Sequence, residues 1–247
     1  SFRRVHLGRW ALAAGVGSRF GLHTQEEHKL LLTVKGVPII DYTLQAFSRA
    51  GISDVALVTG FMANGINEWV GNGSRYGLNI SYIFNPDYKS GNAVSVRAAR
   101  TFTKDHNFVL SMGDHMISPD LITRVINSHG NFEANILGVD FDLGKAHEAT
   151  LVLVDDEKRI SSIGKRIMKW NGIDSGVFRF TPDIHGLIDQ WIACDSSGRF
   201  ELSGALDYLI KQGGLLKSCD ISDCYWYDVD NMKDLNHLRM TKVAADE

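Results

Sequence analysis

The residue types best suited to chemistry gather first in Leu12-Ala13-Ala14-Gly15-Val16-Gly17-Ser18-Arg19-Phe20, with Lys29 following one loop later. Gly15 and Gly17 free the backbone to take positive φ and approach a ligand closely. Consecutive N–H groups can then point into one concavity and bind phosphate oxygens, while Ala13 and Ala14 just before the turn are candidates for binding the nucleotide through their backbone groups. Ser18 adds a hydroxyl and Arg19 a planar cation suited to the same oxygens. The stretch reads as a triphosphate cradle. It is not a P-loop, because no glycine has Gly-Lys at the required offset. Nor is it a dinucleotide fingerprint, because the glycines stand at 15, 17 and 21, one residue too long for G-x-G-x-x-G. A plain glycine-rich turn is the alternative, and the flanking Ala-Ala, Ser-Arg and Lys29 favour the cradle.

Carboxylates arrive from later in the chain. An apolar run over 108–112 delivers Gly113-Asp114-His115 at its carboxyl end. Mg2+ takes oxygen ligands, commonly one or two carboxylates alongside substrate phosphates, so Asp114 is a candidate ligand; a turn or cap residue is the competing reading. In Trp226-Tyr227-Asp228-Val229-Asp230 the two acids alternate with their neighbours, so on an extended strand both face the same way. Two parallel carboxylates are costly unless a cation or protons neutralise them, which adds Asp228 and Asp230 to the candidate Mg2+ ligands. Ser90-Gly91-Asn92-Ala93 precedes a helical stretch, where Gly91 and Asn92 can hold a base edge or phosphate, or simply cap the helix.

The elements that must position these groups follow from periodicity and punctuation. Strands are expected over 9–13, leading into the cradle, and over 55–59, 80–84 and 108–112. After a polar loop over 21–28, Lys29 opens a strand-like run, Leu30-Leu31-Leu32. Pro38 marks the start of a helix that ends at Gly51, and further helical stretches end near Val70 and span 94–100. Beyond Pro119 lies another helix, then strands over 135–139 and 150–154 and an exposed one over 159–163. Helices over 184–191 and 205–210 precede strands over 215–221 and 225–229, which finish the sheet, and a last helix covers 232–245. This alternation predicts an α/β fold, a Rossmann-like three-layer sandwich with a mixed, mostly parallel sheet and ligands at the carboxyl ends of its strands.

Composition narrows the function classes. The 247 residues, 44% hydrophobic and 22% charged, suffice for one large α/β domain, and 1–247 is expected to be a single domain. A formal charge of -3 supplies no basic field for nucleic acid or anionic lipid, so a phosphate ligand must be held by local groups. Cys194, Cys219 and Cys224 form no C-x-x-C pair and leave an odd number, as reduced thiols do; Cys219 and Cys224 could share a metal, although idle buried thiols are the simpler reading. No apolar run reaches membrane-spanning length and the first residues lack a signal-peptide core, so the expectation is a cytoplasmic protein without membrane insertion.

Taken in order, Leu-Ala-Ala-Gly-x-Gly-Ser-Arg, Lys29, Gly91-Asn92, Met112-Gly-Asp-His115 and Trp226-Tyr-Asp-Val-Asp230 resemble the CTP:inositol-1-phosphate cytidylyltransferases over residues 10–240. The Thr24-Gln-x-x-His28-Lys29 stretch is also similar to bacterial phosphocholine cytidylyltransferases. The resemblance implies transfer of CMP from CTP to a phosphorylated polyol or alcohol, with Arg19 and Lys29 acting on the triphosphate. Lys165 then matches the lysine that meets the acceptor phosphate, and Asp174 a carboxylate that binds acceptor hydroxyls. It further implies hand-over of product to a membrane CDP-alcohol transferase and admits a homodimer. A phosphate nucleophile has no proton to surrender, so His115 is expected to be structural or to support its neighbours. His147, Trp170 and Trp191 either line the acceptor pocket or merely pack. A metal-dependent glycosyltransferase or a non-catalytic nucleotide-binding regulator would share the sheet; pyrophosphate release separates both from a nucleotidyltransferase.

Overall fold

The computed structural model describes residues 10–14, 28–129, 133–146 and 149–240. In chain order its strands are β1 (Trp10–Ala14), β2 (Thr33–Val34), β3 (Val37–Pro38), β4 (Asp54–Thr59), β5 (Asn79–Phe84), β6 (Phe108–Met112) and β7 (His115–Ile117). They continue with β8 (Asn135–Asp140), β9 (Leu151–Val154), β10 (Ile160–Gly164), β11 (Gly172–Phe180), β12 (Leu216–Asp220) and β13 (Trp226–Asp228). The helices are α1 (Ile39–Arg49), α2 (Ala63–Val70), α3 (Asn92–Ala98), α4 (Arg100–Thr103), α5 (Pro119–Asn127), α6 (Ile184–Cys194), α7 (Leu202–Lys211) and α8 (Met232–Met240).

The main sheet runs β10-β9-β11-β6-β1-β4-β5, with β8 beside β11 and β12 beside β8. It is mixed in an ordered way. Strands β6, β1, β4 and β5 are parallel, whereas β11 runs antiparallel to β6, β8 and β9. Both faces are apolar, as a strand buried on two sides requires. In β4, Val55 and Leu57 join one core cluster with α1, α5 and α8, while Ala56 and Val58 join the other with α3, α6 and α7. The result is the expected three-layer sandwich.

Local sequence explains the helix positions. Pro38 precedes α1 with φ -58, and Ile40, Leu44 and Phe47 then fall on one buried stripe. Pro119 starts α5, and the far end of that helix is closed by buried Arg179, whose guanidinium donates to the carbonyls of Ile126 (2.6 Å) and Ser128 (2.9 Å).

Four expectations are corrected. Residues 29–31 form a 3-10 turn rather than a strand, because His28 Nδ1 accepts the Leu30 N–H at 3.1 Å and Leu31 N–H returns to the His28 carbonyl. The expected helix over 94–100 begins earlier, at Asn92, and is interrupted at Ala99. Strand β10 is not an exposed alternating strand: a register shift between Ile160 and Ser162 turns both Ile160 and Ile163 into the core. Finally, β13 does not finish the main sheet. It pairs antiparallel with β7 in a separate ribbon, anchored by Trp226 Nε1 on Asp140 Oδ2 at 2.7 Å. Cys219 and Cys224 are buried free thiols and join no metal-ligating group among the described residues.

Candidate active site

Strand β1 lies between β4 and β6, with Ala13 opposite Ser111 and Ala14 opposite Met112. The chain therefore leaves β1 at the same sheet end at which β6 turns through Gly113 into Asp114. Gly15, Gly17, Ser18 and Arg19 lie outside the described residues, as does His147.

Asp114 stands at a junction of distant segments. Its carboxylate Oδ2 accepts from Lys29 Nζ at 2.7 Å, and Lys29, 3% exposed at its side chain, is also 4.0 Å from Asp230 Oδ1. The Asp114 carbonyl accepts the Val229 N–H at 3.2 Å, which ties the chain after β13 to the end of β6. Asp228 faces His115 across the ribbon in register, and its Oδ1 is 3.4 Å from His115 Nε2. The strand ends at Asp228, so Asp230 is not carried by it and instead sits on the lysine side, where its N–H caps toward Asp234 Oδ2. The two acids thus flank the junction rather than sharing one strand face.

His115 is buried. Its Nδ1 is 2.8 Å from the Ser175 carbonyl, and its own carbonyl accepts from Thr43 Oγ1 at 2.8 Å, which fixes ring and backbone together. Burial alone would lower its pKa, but the Asp228 carboxylate and, less strongly, Asp114 lift it to about 9. Asp174 follows in β11 with its carboxylate accepting the Gly176 N–H at 2.7 Å. Burial, together with the nearby Asp228, pushes Asp174 up to about 6 against the opposing pull of Gly176 and His115. Single donor atoms of Asp114, His115 and Asp228 all lie within 4.8 Å of one another, and two carboxylates with an imidazole are a donor set that fits a divalent cation.

The other sequence-selected residues have these places in the fold. Gly91 has φ +112 against the backbone of Phe200, and a Cβ there would stand 2.3 Å from the Phe200 carbonyl oxygen. Asn92 uses its side-chain oxygen to accept the Leu202 N–H at 2.6 Å, so it caps α7 while its amide nitrogen faces Met112 Sδ at 3.7 Å. Lys165 is exposed in the turn after β10. Trp170 is half-buried before β11. Trp191 packs edge-on against Phe200 between α6 and α7. The seat of His115, made by Ser175 and Gly176, went unread in the sequence; its one local signal was their place directly after Asp174.

A family model described as nucleotidyl transferase matches residues 11–244. The chain belongs to this family. It is 31% identical over 234 residues to the glucose-1-phosphate thymidylyltransferase of Streptomyces antibioticus, covering 93% of this chain and 64% of that protein. It is 28% identical over 235 residues to the bifunctional IPC transferase and DIPP synthase of Rubrobacter xylanophilus, covering 94% of this chain and 51% of that one. The chain therefore spans about half to two thirds of the length of these relatives. In fold it is similar to the inositol-1-phosphate CTP transferase from T. maritima, with a TM-score of 0.81 at 24% identity over 96% of this chain and 98% of that one. Among the described residues, no helix is long and apolar enough to cross a membrane.

Proposed function

We propose that the chain transfers CMP from CTP to inositol 1-phosphate, giving CDP-inositol and pyrophosphate. The observation that carries this reading is the meeting of Lys29, Asp114 and Asp228, from three distant segments, at the sheet end where β1 leads into the Gly-x-Gly-Ser-Arg stretch. The likeness to the IPC transferase and DIPP synthase supports the inositol acceptor. The likeness to the thymidylyltransferase supports a second reading, transfer to a sugar 1-phosphate, and the Thr24 to Lys29 stretch keeps phosphocholine as a third acceptor.

The reaction forms a bond from an acceptor phosphate oxygen to the α-phosphorus of CTP and breaks the bond from that phosphorus to pyrophosphate. The nucleophile is already an anion, so positioning and charge neutralisation supply the catalysis. Gly15, Gly17, Ser18 and Arg19 would hold the β- and γ-phosphates, with Ala13, Ala14, Gly91 and Asn92 about the nucleoside. Lys29, held by Asp114, would stabilise charge on the α-phosphoryl group. Lys165 would orient the incoming phosphate from its exposed turn, and Asp174 would accept from acceptor hydroxyls. Asp114 with Asp228 or Asp230 would hold Mg2+, which neutralises triphosphate charge when bound.

Pyrophosphate release, measured over CTP, UTP, dTTP and ATP against inositol 1-phosphate, phosphocholine and glucose 1-phosphate, tests the reading. The fastest turnover is expected for CTP with inositol 1-phosphate. Preference for dTTP with glucose 1-phosphate would establish the second reading, and no release with any pair would overturn nucleotidyl transfer altogether.

A further inference from the structure

The ring between the two carboxylates has a geometry of its own. His115 Nδ1 lies 2.8 Å from the Ser175 carbonyl oxygen. A carbonyl can only accept, so Nδ1 carries a hydrogen; in the cation-free chain the two acids that raise the ring's pKa to about 9 hold a second proton on Nε2, and a bound dication must displace that proton to take the in-plane lone pair of Nε2. That nitrogen lies 3.4 Å from Asp228 Oδ1 and 3.9 Å from Asp114 Oδ1. Adjacent donors around an ion held at about 2.1–2.2 Å stand about 3 Å apart, so the two nitrogen–oxygen separations need to close by no more than about 1 Å, and one donor atom from each of the three residues already lies within 4.8 Å of the others. Lys29 engages the other oxygen of Asp114, Oδ2, which leaves Oδ1 on the side of the ring.

We infer that His115 supplies Nε2 as a third protein donor to the cation held by Asp114 and Asp228, and that the site therefore favours Mn2+ or Co2+ over Mg2+. This rests on the reading of the two acids as cation ligands. Mg2+ prefers an all-oxygen shell, whereas an imidazole nitrogen shifts preference away from Mg2+ toward the first-row transition-metal dications. A backbone carbonyl on the far nitrogen is the usual means of fixing the tautomer and orientation of a metal-bound histidine.

The fold has shaped a seat for this ring. Gly176, at φ +74 in the bulge of β11, lies so close that a Cβ there would stand 2.3 Å from His115 Cε1 and 2.4 Å from Nδ1. Only glycine combines that backbone with that approach. Antiparallel pairing sets Asp228 directly opposite His115, and Asp114 precedes it in sequence, so all three donors are placed by one turn and one ribbon register.

Electron spin-echo modulation of Mn2+ bound to the nucleotide-free chain reads the inference directly. The expected spectrum shows 14N coupling that converts to 15N coupling in protein labelled with 15N-histidine and disappears in His115→Gln, with Mn2+ affinity at least about tenfold weaker in that variant. His115→Gln should also narrow the preference for Mn2+ over Mg2+. Mn2+ bound without histidine nitrogen coupling, but released by Asp228→Asn, would overturn ligation by His115 and leave the two-carboxylate reading standing. Histidine coupling that persists in His115→Gln would also overturn it. Mn2+ binding indifferent to both Asp114→Asn and Asp228→Asn would remove the cation site itself. The isotope comparison is made on the unsubstituted chain, so it decides the matter even where His115→Gln fails to fold.

Discussion

Two polar clusters in this molecule use carboxylates in opposite ways. Asp41, in the first turn of α1, directs one oxygen at three donors: Trp69 Nε1 at 2.8 Å, the Tyr76 hydroxyl at 2.6 Å and Arg75 Nη2 at 3.3 Å. One acid is thereby satisfied by three hydrogen bonds, and the cluster closes α1 against α2 and the turn after it. At the carboxyl end of β6 the balance is reversed. Asp114, Asp228 and Asp230 gather around one lysine and one imidazole, and Asp174 adds a carboxyl that burial holds partly protonated near neutrality. Gathered acids are costly unless a cation joins them. The first cluster is complete as folded; the second is arranged to receive charge.

Substitution should separate the two. Lys29→Ala and Asp114→Ala are each expected to lower turnover by at least about 10²–10³-fold, the usual cost of losing one preorganised charge donor, while the fold survives. Melting curves recorded beside pyrophosphate release check this, and near wild-type turnover in either variant removes that residue from the mechanism. Asp41→Ala should do the reverse. Orphaning its donors is expected to cost about 2–4 kcal/mol, a Tm lower by roughly 5–10 °C, with activity per folded molecule retained. A marked fall in activity below the melting transition would erase the distinction drawn between the clusters.

A third buried group sharpens the contrast more gently. His185 in α6 is 3% exposed, stacks on Phe108 and hydrogen-bonds through Nε2 to Thr103 Oγ1 at 2.6 Å. Burial lowers its pKa to about 4, nearby Arg100 acts in the same direction, and Asp189 opposes them. The folded chain keeps this ring neutral while the unfolded chain protonates it near pH 6.5, so stability is full above that pH and is lost as pH falls toward about 4. The expected loss is about 1–3 kcal/mol, read as a Tm that declines over this window, with a shallower decline in His185→Gln. Equal slopes in the two proteins would assign the acid sensitivity elsewhere.

Much of the fold was legible because its signals are local. Continuous apolar runs marked β4 and β6, prolines marked the starts of α1 and α5, and Gly113-Asp114 at the end of an apolar strand placed a carboxylate at the sheet's ligand-binding end. What escaped depends on contacts far apart in sequence. The 3-10 turn over 29–31 hangs on one side-chain bond from His28, the inward turn of Ile163 on a bulge, and the pairing of β13 with β7 on the anchoring of Trp226 by Asp140. The same holds within the site. The acids were visible as types, but the role of His115 depends on a carbonyl and a glycine in β11, 60 residues away.

Calorimetric titration of CTP into the chain, with and without Mg2+ or Mn2+, tests the central claim most directly. Cation-dependent CTP binding, lost in Asp114→Ala and sharply weakened in Asp228→Ala, is the expected result. CTP binding of equal strength without a divalent cation, or undiminished in both variants, would contradict it.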